Sequence, residues 1–97
     1  MTHARLYFIA YDVSSPKRWR RVYKAMRRRG AWQQLSAFVC RLTPGALADL
    51  EAELRGHLDA RSDRLMIVDL GLGAEAEDRL RRFGDMPALP RARAHII

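Results

Sequence analysis

The chain has 97 residues, 48% of them hydrophobic, which suits one domain and excludes wholesale disorder. Lys and Arg number 18 against 11 Asp and Glu, a net charge of +7, which favours polyanionic partners over basic ones. One cysteine, Cys40, excludes an internal disulfide framework, and no stretch reaches the ~20 apolar residues of a membrane-crossing helix.

The first element is the apolar, aromatic-rich run Leu6 to Tyr11, bounded by Asp12 and the cluster Ser14-Ser15-Pro16. That pattern predicts a buried strand. Ser15 then caps a helix with Pro16 at its first position. Trp19, Val22, Tyr23 and Met26 follow the i, i+3, i+4, i+7 spacing of a single apolar stripe. Gly30 is placed to end the helix. Residues 31–42 read as strand, Trp32 to Leu35 and then Ala37 to Leu42. Ser36 between them marks a kink, a bulge or a tight turn. Thr43-Pro44 repeats the cap-and-proline signal, and Leu47, Leu50, Leu54 and Leu58 form a second helical stripe. The polar stretch Asp59 to Asp63 ends that helix. Leu65 to Val68, leading into Asp69-Leu70-Gly71, predicts another buried strand. Residues 74–83 suit a short helix stopped by Gly84, 86–90 an extended loop, and 92–97 an edge strand.

The order strand, helix, strands, helix, strand predicts an α+β fold: a ferredoxin-like two-layer sandwich, an antiparallel sheet with its helices on one face. Residues 1–97 form a single domain in this reading, with 85–97 as a C-terminal extension and edge strand. The other sheet face is left open, and a homodimer formed through the sheet would cover it. With no leader segment recognisable before the first strand, the expected location is cytoplasmic.

Charge is distributed unevenly along the chain. Residues 1–48 hold ten basic residues and one acid, Asp12, while residues 49–97 hold eight basic and ten acidic. Eight of the 13 positions from Lys17 to Arg29 are cations, six of them Arg. Like charges on one helix repel, and a merely solvated face normally mixes signs. Arg18, Arg20, Arg21, Lys24, Arg27 and Arg28 are therefore candidate phosphate contacts, directed to the backbone and insensitive to sequence. Asp12, alone at the end of the first strand, is a candidate anchor for Mg2+ or Mn2+, or a residue that caps the following turn. A twofold axis that joined Asp12 from two chains would strengthen a metal site. Ser36 is a candidate to orient water or phosphate, or to satisfy the strand irregularity. Trp19, Tyr23, Met26, Phe38 and Cys40 read as core. His3, His57 and His95 show no ligand spacing.

Three segments carry a family resemblance. They are the apolar strand ending Tyr11-Asp12-Val13 before a basic helix; Gly30 followed by Gln34-x-Ser36-x-Phe38; and the apolar strand at 65–70 with a glycine-rich exit and an Arg-rich segment ending at Gly84. In this order the chain resembles the small CRISPR-associated adaptation protein, the second of the two nearly universal ones, over residues 5–85. It departs from that pattern at Trp32 and Val39, where Arg and Glu are often found. The resemblance implies a ferredoxin-like homodimer and a metal-dependent phosphodiesterase activity on RNA or DNA in some members. It also implies a CRISPR integrase subunit as partner, with which the dimer holds a short DNA duplex. Two other readings compete: a toxin-like ribonuclease on the same fold, and a non-catalytic DNA-binding adaptor. A plain RNA-binding module would carry aromatic stacking motifs on its central strands; beyond Tyr7 and Tyr11 that signature is absent.

Overall fold

A computed structural model describes residues 3–91. The elements are β1 (Arg5–Asp12), α1 (Pro16–Arg27), β2 (Ala31–Gln34), β3 (Ala37–Leu42), α2 (Pro44–His57), β4 (Arg64–Leu72) and α3 (Gly73–Asp78). The four strands make one antiparallel sheet in the order β2-β3-β1-β4, the ferredoxin-like arrangement expected. The edge strand expected at 92–97 lies outside the described residues.

Both long helices start where their caps predict. Ser15 Oγ accepts the Arg18 amide at 3.2 Å, and Thr43 Oγ1 accepts the Ala46 amide at 3.1 Å. Each cap satisfies one of the donors a helix start leaves open. Side chains alternate along β1, so Tyr7, Ile9 and Tyr11 face the helices and Leu6, Phe8, Ala10 and Asp12 face the other way. The main core joins the first set to Val22, Ala25 and Met26 of α1, Leu50 and Leu54 of α2, and Phe38 and Cys40 of β3. Burial pushes the Cys40 thiol up to about 12, so it is inert packing. Gly30 ends α1 for a reason of space, because a Cβ there would collide with the Cys40 side chain and the Val39 carbonyl.

The β2–β3 connection is both a tight turn and a bulge. Leu35 and Ser36 form a two-residue turn with Leu35 at φ 39°, and the pairing register shifts between Trp32 and Gln34. Trp32 Nε1 donates to the Leu35 carbonyl at 3.0 Å and steadies this left-handed leucine.

Two sequence expectations change. The helix anticipated over 74–83 stops at Asp78, and it packs on the sheet face opposite α1 and α2. Gly71 and Gly73, at φ 103° and 61°, turn the chain across the sheet edge, a conformation that glycine adopts without strain. The helix then ends so that Leu80 and Leu89 can pack on Leu6, Val39, Leu70 and Ala76 in a second cluster. Three side chains fasten residues 79–91 as a strap. Gln33 Nε2 donates to the Ala88 carbonyl, Arg41 donates to the Pro90 carbonyl at 3.0 Å, and Arg82 donates to Gln33 Oε1 at 3.0 Å. The second sheet face is therefore covered at one end and bare at the other.

Candidate nucleic-acid interface and metal site

At the bare end, cross-strand neighbours line up in rows. Asp12 faces Arg64 and Ala10 lies between Ala37 and Met66; the next row, where Phe8 lies between the covered Val39 and the partly exposed Val68, marks the border with the strap. Met66 is 62% exposed and Val68 41%. The result is a small apolar strip with Asp12 at its rim. The Asp12 carboxylate is 73% exposed and accepts from Arg64 at 3.3 Å. An exposed pair of this kind is weak, so the carboxylate stays available. No cluster of three or more His, Cys, Asp or Glu exists among the described residues. Asp12 within one chain is thus a single-carboxylate site. That still suits Mg2+, which is commonly held by one or two carboxylates completed by water and phosphate.

The structure does not bring Ser36 to Asp12. The Ser36 carbonyl accepts the Tyr11 amide at 3.1 Å, next to Asp12 in the backbone. Its hydroxyl, however, accepts from Trp19 Nε1 at 3.0 Å, on the helix side of the sheet, while Asp12 faces the other side. Ser36 therefore ties the hairpin turn to α1. The Tyr11 hydroxyl beside it is buried without a hydrogen-bond partner among the described residues. Burial pushes that phenol up to about 12, against a smaller opposing pull from Ser36.

The six candidate cations divide. Arg18 is committed: its Nε and guanidinium NH2 donate to Asp63 at 2.8 and 3.1 Å, and it also reaches Ser14 and Ser62. Arg28 donates to Glu53 at 2.7 Å. Arg20, Arg21, Lys24 and Arg27 are exposed and pair with no carboxylate among the described residues. They leave α1 with an uncompensated positive face.

Asp63 is the residue that sequence reasoning missed. Its side chain is fully shielded and accepts from the Ser14 amide, the Ser14 hydroxyl, Arg18 and the Asp59 amide. It therefore clamps the Val13–Ser15 loop that joins Asp12 to α1. Hydrogen bonds from Arg18, first of all, hold its carboxyl well below the usual range. A depressed folded-state pKa stabilises the protein fully above about pH 4, where an unfolded aspartate is ionised, and that gain is lost as pH falls below it. Asp63→Asn should therefore melt earlier than wild type at pH 7. The gap should narrow steadily as thermal melts are repeated from pH 5 down to pH 2; a gap constant across that range would remove the ionic clamp.

Residues 5–82 match the family model described as CRISPR associated protein Cas2. The chain is 37% identical over 78 residues to CRISPR-associated endoribonuclease Cas2 1 of Rhodospirillum rubrum, covering 80% of this chain and 76% of that one. It is 34% identical over 79 residues to CRISPR-associated endoribonuclease Cas2 of Geobacter sulfurreducens, covering 81% and 83%. Among solved structures it resembles the hypothetical protein TT1823 of Thermus thermophilus, with a TM-score of 0.76 and 30% identity over 90% of this chain and 99% of that one. Streptococcus pyogenes Cas2 gives a TM-score of 0.69 at 28% identity, over 81% and 99%. The strand-end Asp12, the basic α1 and the βαββαβ sheet thus sit within a match that spans most of the chain, and the protein belongs to the Cas2 family of CRISPR-associated proteins.

Proposed function

We propose that the protein is a homodimeric subunit of the CRISPR adaptation, or spacer acquisition, complex, and that it binds nucleic acid and hydrolyses phosphodiesters with Mg2+ or Mn2+. The observation that carries this reading is the bare apolar strip of β1 and β4 with the exposed Asp12 at its rim. Two copies stacked through that strip bury Met66 and Val68 and draw Asp12 of both chains toward the twofold axis. Bound there, the ion would activate a water molecule and neutralise the attacked phosphate. The free cations of α1 supply the rest, gripping a DNA duplex, or RNA, by its backbone. The names of the two bacterial relatives support nuclease chemistry on RNA. Family membership supports a CRISPR integrase subunit as partner.

A non-catalytic adaptor is the second reading, favoured by the Arg64 contact, which would compete with a metal ion for Asp12. One experiment separates the two. Purified protein is sized by ultracentrifugation, then incubated with short RNA and with duplex DNA in Mg2+, in Mn2+ and in chelator. Dimer with cleavage that chelator abolishes supports the nuclease. Dimer with duplex binding and no cleavage makes the adaptor correct, and a monomer that binds neither overturns both.

The binding face has its own test. Replacing Arg20, Lys24 and Arg27 together by alanine should weaken duplex binding equally for all sequences. It should also reduce the slope of log affinity against log salt by about 3, since each phosphate contact contributes roughly 0.9. An unchanged slope in a salt titration would place the duplex elsewhere.

A further inference from the structure

The neighbour of Asp12 on β4 is a cation with most of its donors unused. Asp12 and Arg64 are direct cross-strand partners, so both side chains stand on the sheet face that α1 and α2 leave open, their Cβ atoms about 5 Å apart. One guanidinium nitrogen, Nη1, donates to Asp12 Oδ2 at 3.3 Å. Nε and Nη2 have no protein partner among the described residues, and the side chain is 84% exposed. Asp63 anchors both ends of the pair. It precedes Arg64 in the chain, and it holds Ser14, two residues beyond Asp12, by amide and hydroxyl.

With Ala10 and Met66, the two side chains line a shallow surface depression of about 230 Å³. Positive charge reaches it from few directions. α1 packs on the opposite sheet face through Val22, Ala25 and Met26, so the sheet separates Arg20, Lys24 and Arg27 from the face on which Asp12 stands. Arg18 is spent on Asp63. On the strap side, Arg41 and Arg82 donate to the carbonyls of Pro90 and Pro87. Among the described residues Arg64 is the cation in the wall of the depression. A phosphodiester held at an ion on Asp12 would set its free oxygens beside this guanidinium. The planar fork of arginine suits such oxygens, which it can bind in pairs. A positive group already in place where charge develops lowers the barrier to reaction. The existing contact with Asp12 is no obstacle, because an exposed pair of this kind gives way at little cost.

We propose that Arg64 is a catalytic residue of the Asp12 site with two alternative partners: Asp12 in the ion-free protein, and the substrate phosphate in the loaded one. This rests on the reading of Asp12 as a metal-dependent hydrolytic site and adds the residue that contacts the phosphate there.

Two variants separate the charge of Arg64 from its shape. Arg64→Gln removes the charge, and Arg64→Lys keeps it without the fork. Both replace an exposed side chain, so the fold should be unchanged. Mn2+ binding is measured by loss of the free-ion paramagnetic resonance signal, with Asp12→Ala as control. Cleavage of a short RNA and of a short DNA duplex is measured in saturating Mn2+, at concentrations where sedimentation shows the wild-type assembly. Arg64→Gln should bind Mn2+ about two- to fivefold more tightly, the worth of an exposed ion pair, and yet cleave roughly tenfold or more slowly. Arg64→Lys should bind Mn2+ like wild type and cleave at an intermediate rate. Tighter binding joined to slower cleavage is a split that general damage to the structure does not produce. Wild-type cleavage by Arg64→Gln overturns the phosphate contact, and unchanged Mn2+ affinity overturns the exchange of partners; in either case the metal reading of Asp12 stands. If Mn2+ binding does not depend on Asp12, or wild type cleaves neither substrate, the hydrolytic reading of the site falls and the role of Arg64 falls with it.

Discussion

Asp12→Ala is expected to remove the proposed metal-dependent cleavage and to leave the fold, the proposed dimer and duplex binding at wild-type levels. The selectivity follows from where Asp12 sits. Its carboxylate is largely in solvent, and its contact among the described residues is an exposed one to Arg64. Removing it leaves no buried donor unpaired and opens no cavity, and surface changes of that kind alter stability little. The chemical loss is large by comparison. Without the carboxylate, the site forfeits charge stabilisation on the order of several kcal/mol. With each 1.4 kcal/mol or so equal to a factor of ten, cleavage falls about a hundredfold or more. Asp12→Asn keeps the shape and loses the charge, so it should be as inactive as alanine. The measurement is the cleavage rate of RNA and of duplex DNA in saturating Mg2+ or Mn2+, alongside melting temperature and sedimentation. Full cleavage by the alanine variant would move the chemistry away from β1.

The same sequence that displayed Asp12 concealed Asp63, and the reason is physical. Periodicity and caps are local signals, so the elements built from them were legible: the strand at Leu6–Tyr11, the Ser15 and Thr43 caps, and Leu47, Leu50 and Leu54 of the α2 stripe stand where the pattern puts them, while Leu58 falls just past the helix as its extended cap. Asp63 looked like one more polar residue after a helix. Its role depends on Ser14 and Arg18, 49 and 45 positions away, which only the folded sheet brings near. The reassignment of Arg18 has the same origin. On the helix it is one cation among eight; in the fold it neutralises the buried carboxylate and is withdrawn from the candidate phosphate contacts.

Long-range packing also explains why α3 moved. An Arg-rich stretch after a glycine exit reads as a short helix over 74–83, and nothing local places it on one side of the sheet or the other. What decides is that Leu6, Val39 and Leu70 face away from α1 and α2 and need cover, which Ala76, Leu80 and Leu89 provide. The strap therefore also sets the extent of the bare strip. By covering Leu6 and Val39 and stopping short of Ala10, Met66 and Val68, it leaves an apolar strip at the end where Asp12 stands.

In the proposed dimer that placement would make assembly and chemistry interdependent, and a charge on the strip should show it. Val68→Asp is expected to convert the protein to a folded monomer and to abolish cleavage, although Asp12 is untouched. Val68 is partly exposed on β4, so an aspartate there is solvated in the monomer and the fold tolerates it. In the stacked dimer each chain would bury one such carboxylate without a cation opposite, and the twofold axis would make it two. An uncompensated buried charge costs on the order of 3–5 kcal/mol, which weakens dimerisation about a hundredfold or more. Sedimentation across a concentration series reads that shift, and circular dichroism verifies that the monomer is folded. Cleavage should return as protein concentration is raised toward the new dissociation constant, because in the proposed assembly two Asp12 carboxylates meet only in the dimer. A monomer that cleaves at the wild-type rate would mean that one Asp12 suffices, and a variant still dimeric at low concentration would place the interface on another face of the sheet.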